Sequence, residues 1–447
     1  MHHDSRGLTV TLSDPAALDA YERALYAFHT YRGDPLKPLD EAIALDEGFA
    51  AAYATKALLY ITLFERRFMR EALATLEQGR KALERGNVRE RALAAAARTI
   101  AEGGWHEGVR LLDHVLAEYP RDIVALQVAH LMDFYRGDAL NLRNRVSRVL
   151  PAWDRALPGY AYVLGMHAFG YEESNQYPEA ERAGRRAVEL SGDDSWAVHA
   201  VAHVMEMQGR IAEGLAWYRE TRPVWDDPDN GFAFHNAWHT ALYHLDRGDT
   251  RQALAIYDQR FSGGLEMVLP RIDATAMLWR LKLEGVDVAS RIAPVADAWA
   301  ATLEGEGGFY AFNDFHAALA FAAAGRREAL ARVQAAQSRA AIERSDNAGM
   351  TRAVGLQATE ALGAYSEGRF LAAVQHLAAV RDGANRIGGS HAQRDLLTLT
   401  LIDAASLAGL DATARHYARE RLVHKPESAW GGRLMERIET RITRRAA

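Results

Sequence analysis

The chain has 447 residues, 49% of them hydrophobic and 25% charged, with a formal charge of −6 and an isoelectric point near 6.3. That composition belongs to a folded chain with ample core, and it carries no basic stripe of the kind that marks nucleic-acid binding. There is no cysteine, which excludes disulfides, thiolate nucleophiles and cysteine-ligated zinc or iron–sulfur centres, so any metal must be held by histidine and carboxylate.

The N-terminal "MHHDSRGLTVTLSD" lacks the charged-then-apolar profile of a secretory signal. The longest apolar runs, such as "ALLYITLF" at 57–64, fall far short of the roughly 20 residues that span a bilayer. The expectation is a cytoplasmic protein with no membrane contact. Residues 1–16 read as an N-terminal arm, with Ser13 or Asp14 as N-cap and Pro15 in the first turn of a helical region that begins near Ala17.

From there, segments of about a dozen residues with apolar positions at helical spacing alternate with short breaks, and no stretch holds a period of two. The chain is therefore all-α. The breaks share a grammar: "YRGDPLKPLDEAIAL", "AEGGWHEGVRLL", "ESNQYPEAERAGRRAVEL", "MQGRIAEGLAWY", "DRGDTRQALAIY", "AAGRREALARVQ", "SEGRFLAAVQHL" and "LAGLDATARHYA". A small or polar turn is followed by Ala or Gly and then an amphipathic helix, as in tetratricopeptide-type repeats, whose period is about 34 residues. The turns at Gln208, Gly248, Gly325, Gly368 and Gly409 are 40, 77, 43 and 41 residues apart, so the repeats are degenerate and the longest interval hides an extra pair. The predicted architecture is a TPR-like α-solenoid, one domain over 17–436. It would form a right-handed superhelix of about ten antiparallel helix pairs with a concave groove, since no pair buries its apolar face alone. The Arg-rich end "RLMERIETRITRRAA" reads as a solvated terminal helix, with a basic tail over 437–447.

The first helix of each such pair lines the groove. Aligning the turn "QGRIAEGL" puts Trp196, His199, His203 and Glu206 inward, within an arc of about 80° at about 100° per residue. The next pair presents His235 and Trp238, with His239 one residue off that face and His244 about 180° from His235. In the preceding pair Glu172 is inward and His167 packs between helices.

These segments carry a resemblance. The run "GMHAFGYEESNQYPEAE … DDSWAVHAVAHVMEMQGRIAEGL … HNAWHTALYHLDRGD", with "NDFHAALAFAAAG" and "IGGSHAQRDLLTLTLIDAA", resembles the tetratricopeptide repeat protein 38 family over nearly the whole chain, most specifically at "WAVHAVAHVMEM" and "GGSHAQRD". The resemblance implies a helical-repeat fold. It places His199, His203, Glu206, His235, His239, His316, His391, Gln393 and Arg394 in family motif segments, and implies no reaction, cofactor or partner.

Each signal has two chemistries. His-x3-His-x2-Glu at 199, 203 and 206 has the spacing by which two histidines reach one ion, but it lacks the Glu after the first His that a zincin-type protease requires. The same residues also suit a metal-free polar pocket or histidines bonded across helices. His235, Trp238 and His239 combine an aromatic wall with polar anchors, or Trp238 simply fills the lumen. "IGGSHAQRD" offers helix N-terminal N–H groups and Arg394 to an anion, with Ser390 as an ordinary N-cap the plainer account. Asp314 and His316 are two residues apart and so on different helix faces, which favours packing over a dyad. Phosphate-loop and nucleophile-elbow motifs are absent from the sequence.

Three functions follow. The first is a small-molecule pocket, extended to a metal-free hydrolase or lyase in which His199, His203, Glu206, His235 and His239 are catalytic and a histidine is general base. Glu172, Trp196, Trp238, His391, Gln393 and Arg394 would then contact the ligand. The alternative is a scaffold binding a protein or peptide segment along the groove. The second alternative is a metalloprotein holding a divalent ion on His199, His203 and Glu206. The first reading needs no cofactor, and self-association is left open by all three.

Overall fold

The computed structural model describes residues 2–446, which are helical apart from turns, one isolated bridge and a short hairpin pairing His2–His3 with Thr9–Val10. The fold is an all-α array of paired helices. Asp14 caps the first helix, Pro15–Thr30, by accepting from the Ala16 N–H, with Pro15 at its first position. No helix among the described residues is long and apolar enough to cross a membrane.

The chain divides into two compact units. The first runs to Val201 and adds Thr221–Ala233 and Arg344–Asp346. Its helices pair as Pro15–Thr30 with Leu36–Leu45, Ala50–Thr62 with Arg66–Gln78, Val88–Ala101 with Trp105–Glu118, Ile123–Arg136 with Ala139–Val149, and Tyr160–Glu173 with Tyr177–Leu190. The second unit comprises Ala202–Glu220, Phe234–Glu343 and the chain from Asn347 onward. It pairs Ala233–Asp246 with Thr250–Arg260, Val268–Leu283 with Ala289–Glu306, Ala311–Ala323 with Arg327–Ala340, Leu356–Ser366 with Phe370–Val380, and His391–Leu407 with Asp411–His424. A last helix, Ala429–Ala446, follows. The helix Ser195–Met207 is divided between the units after Val201.

The breaks in the sequence work by one local mechanism. Gly33, Gly103, Asn175, Gly209, Gly248, Gly325, Gly368 and Gly409 all have positive φ. At seven of these turns the next N–H reaches back to a carbonyl near the end of the preceding helix: Gly104 to Thr99, Gln176 to Tyr171, Arg210 to Met205, Asp249 to His244, Arg326 to Phe321, Arg369 to Ala364 and Leu410 to Ala405, at 2.8–3.0 Å. This is the Schellman closure, which satisfies carbonyls a helix end would otherwise leave bare. Asn175 substitutes for glycine because its short polar side chain tolerates the left-handed region.

The two helices of a pair are buried differently. In Tyr160–Glu173 every residue from Val163 to Gly170 is buried, whereas its partner Tyr177–Leu190 buries only Ala180, Gly184 and Ala187. The second unit repeats this, with Ala311–Ala323 buried on all sides and Arg327–Ala340 along one stripe. These two first helices are thus covered nearly all round by their neighbours, whereas Pro15–Thr30 and Val88–Ala101 keep an exposed stripe that includes Tyr26 and Val88. The residues expected to line the groove, Trp196, His199, His203, Glu206, Trp238 and His239, are all buried. Small residues let the stripe approach closely. A Cβ on Gly214 would lie 2.2 Å from the ring of Tyr243, whose hydroxyl donates to the Ala202 carbonyl at 2.6 Å.

The basic end of the chain is docked within the second unit. Arg437, Arg441 and Arg445, at four-residue spacing along one helix face, reach Glu284, Asp403 and Asp411.

Candidate functional site

The second unit brings five of the sequence-marked residues together: His203 and Glu206 from one helix, and His235, Trp238 and His239 from the helix Ala233–Asp246. The His203 and His239 rings lie 4.3 Å apart, and the His235 ring stands edge-on to His239 at 4.9 Å. Trp238 stacks on His235 at 5.4 Å. The residues one turn apart on a helix face meet residues one turn apart on the next.

Carboxylates stand behind two of these imidazoles. His239 Nδ1 is 3.0 Å from Glu206 Oε2, and His235 Nδ1 is 2.7 Å from Asp273 Oδ2. The second oxygen of Glu206 accepts from Lys425 Nζ at 2.8 Å, across 219 positions of sequence. Arg280 lies 5.2 Å over the Trp238 ring and donates to the Ala392 carbonyl at 2.5 Å. Arg421 grips Asp395 at 2.9 Å, and Ser428 donates to Asp246 at 2.6 Å, which fixes the segment that carries Lys425.

Burial and charge oppose each other across this network. For Glu206, burial pushes the carboxyl up, but Lys425 and then His203 outweigh it and hold it below the usual range. Asp395 is also held low, with Arg421 and Lys425 overriding burial. Asp273 goes the other way: burial raises it further than His235 lowers it. Burial drives His239 well below the ordinary imidazole value, helped by the surrounding cations, and lowers Arg280 to about 10. His203 and His239 are fully enclosed, and of the three imidazoles only His235, with 12% of its side chain exposed, borders solvent.

Trp196 and His199 fall in the first unit, packed with Phe169 and Phe232 at centroid distances of 5.0–5.4 Å. Glu172, also in the first unit, is fully buried near the end of its helix, where with Glu173 it adds to the burial that raises the Tyr177 phenol. His167 meets Ser147 at 2.9 Å. The Ser390 segment is a capping box: Ser390 Oγ accepts from the Gln393 N–H and Gln393 Oε1 from the Ser390 N–H. Arg394 donates to the Gly389 carbonyl and meets His391 at 3.2 Å. The donors expected to receive an anion there are thus engaged by the chain itself. Asp314 accepts from the Gly308 N–H while His316 contacts the Phe312 carbonyl, so they form no dyad.

No protein-family model matches the chain. Among solved structures it is similar to a Cut9–Hcn1 hetero-tetramer of the APC/C, at 12% identity and a TM-score of 0.47, covering 94% of this chain and 76% of that one. It is also similar to a human IFIT1 dimer with m7Gppp-AAAA, at 14% identity and a TM-score of 0.45, covering 97% and 96%. A monomeric IFIT1 mutant with Gppp-AAAA is similar at 14% identity and a TM-score of 0.43, covering 96% of each chain.

Sequence reasoning missed Asp273, Arg280, Asp395, Arg421 and Lys425. One signal was present. The helix Val268–Leu283 is apolar around most of its circumference yet carries Arg271, Asp273 and Arg280, all buried, and a helix apolar on all sides is an interior helix whose charges must find partners. Lys425, in "VHKPESAW", carries no comparable mark.

Proposed function

We propose that this protein is a helical-repeat scaffold that binds a segment of a partner protein in the cytoplasm, and that it belongs with the tetratricopeptide repeat protein 38 family it resembles at "WAVHAVAHVMEM" and "GGSHAQRD". One observation carries the scaffold reading. Of the side chains marked for catalysis all but His235 are enclosed, and three are already engaged by the chain, Glu206 by Lys425 and His239 and His235 by Asp273. Work on a large partner then falls to the outer surface. There the second unit offers a shallow cleft lined by Arg369, Phe370, Leu371, Gln375 and Leu407, with Leu371 54% and Leu407 39% exposed. Apolar side chains held apart at a cleft suit an apolar anchor from a peptide.

The test is selection of peptides from a displayed library on the full chain, followed by affinity measurement against Leu371→Asp. A loss of tenfold or more supports the reading. Selected peptides that bind the variant unchanged, or a failure to select any, would refute it. A small-molecule site is the second reading. It rests on His235, which borders solvent with Asp273 orienting its Nδ1, the arrangement of a general base. A metabolite that raises the melting temperature of the wild type and of His235→Ala equally would exclude it.

A further inference from the structure

We propose that His203, His235 and His239 form a binding site for a divalent transition-metal ion of the zinc class. One ring nitrogen from each lies within 4.8 Å of the others. Four ligands around zinc at about 2.1 Å stand roughly 3.4 Å apart in a tetrahedron, so inward movements of less than about 1 Å per ring close the set. His235 and His239 are four residues apart on one helix and His203 faces them from the next, so rigid elements rather than loops hold all three.

The carboxylates supply the stronger argument. Metal-bound histidines commonly give their other ring N–H to a carboxylate, which fixes the tautomer and raises ligand basicity. Here Asp273 holds Nδ1 of His235 and Glu206 holds Nδ1 of His239, and a bond at Nδ1 leaves Nε2 on the far side of each ring. Glu206 therefore orients a ligand and is not one itself, because its two oxygens are taken by His239 and Lys425. This removes Glu206 from the ligand set expected from spacing alone, in which it stood beside His199 and His203. Around the imidazoles, Glu206 and Asp273 balance Lys425 and Arg280. A site without net negative charge and with nitrogen donors selects ions that bind imidazole well, and not calcium or magnesium, which need oxygen ligands.

The experiment is titration of chelator-stripped, full-length protein with zinc, and with cobalt as a spectroscopic probe. One equivalent bound with the ligand-field bands of a four-coordinate nitrogen site is expected. The signal should disappear in His203→Ala. Asp273→Asn keeps all three ligands, and should bind about 10–100-fold more weakly while circular dichroism is unchanged. Binding that survives in folded His203→Ala, that is lost in His2→Ala/His3→Ala, or that is unaltered in Asp273→Asn would overturn the proposal. So would the absence of one-equivalent binding by folded wild type.

Discussion

Each unit buries a cluster of histidines against aromatic rings, and the two clusters handle charge in opposite ways. In the second unit the imidazoles have carboxylates at their backs, and those carboxylates face Lys425 and Arg280. In the first, His29 contacts Gln127, a neutral amide, and stacks near Tyr162 at 5.5 Å. The His29 Nε2, the Trp196 Nε1 and the Asp194 Oδ2 there have no hydrogen-bond partner. The cleft lined by His29, Tyr31, Gln127, Tyr162, Asp194 and Trp196 has room for about one water molecule. Without a paired counter-charge, burial is the largest influence on the titration: His29 falls to about 3 and Asp194 rises to about 7. The first unit buries ion pairs of its own, Arg89 with Asp122 and Arg145 with Asp133, but the groups around His29 are kept neutral, whereas those around His239 are buried as pairs.

The largest effect expected from this contrast is at Glu206. Removing one partner of a buried pair strands the other, so Glu206→Leu should cost about 3–5 kcal/mol by leaving Lys425 buried without its carboxylate. Glu206→Leu combined with Lys425→Met should recover most of that, because the desolvation of both charges disappears with the pair. Urea unfolding of the single and double variants measures the coupling. A single variant within about 1 kcal/mol of wild type would show that the pair behaves like an exposed one, and the contrast between the two clusters would fail.

How much of this was legible follows from where each determinant sits in the sequence. The helical pairing was readable because the turns are local: a glycine, or Asn175, at the left-handed position announces itself within three or four residues. The face shared by His203 and Glu206, and that shared by His235 and Trp238, was readable for the same reason, since helical spacing fixes which side chains stand together. Burial of those faces was not. It depends on neighbours, distant in sequence, that cover these helices on every side. The ligand-like spacing of His199, His203 and Glu206 misled at Glu206, which answers to Lys425, more than two hundred residues on. Long-range partners leave no periodicity to read.

The first unit gives the next effect in size. Asp194 carries its proton to about pH 7 in the folded state, through burial first and then the neighbouring Asp193. The unfolded chain releases it near pH 4. Between those values the folded state binds more protons, so this group's contribution to stability falls as pH rises from about 4 to about 7 and stays low above. The full effect is at most roughly 4 kcal/mol, because each tenfold change in proton affinity between the two states is worth about 1.36 kcal/mol. Asp194→Asn keeps the oxygen that accepts from the Ala197 N–H and removes the titration. It should raise the unfolding free energy at pH 8 by a few kcal/mol and leave it nearly unchanged at pH 4. His29 acts on the acid side with the opposite sign, because a depressed imidazole loses its contribution as pH falls from about 6.5 toward 3. Equal stabilisation by Asp194→Asn at both pH values would mean that Asp194 is solvated in the folded state.

The smallest effect separates capping from anion binding at the start of His391–Leu407. Ser390 and Gln393 satisfy each other's backbone N–H groups, and Arg394 turns back onto the Gly389 carbonyl. If the segment's work is to begin a helix, Ser390→Ala should cost about 1 kcal/mol, the usual worth of an N-cap. Sulfate stabilises folded proteins generally by exclusion from their surfaces, so the informative quantity is the difference in its effect between wild type and variant. A capping role predicts no difference. An anion held by the N-terminal N–H groups and Arg394 would make wild type respond to sulfate more steeply than Arg394→Gln at equal ionic strength. The capping box predicts parallel responses, because two of the N–H groups and the guanidinium an anion would need are already used within the chain.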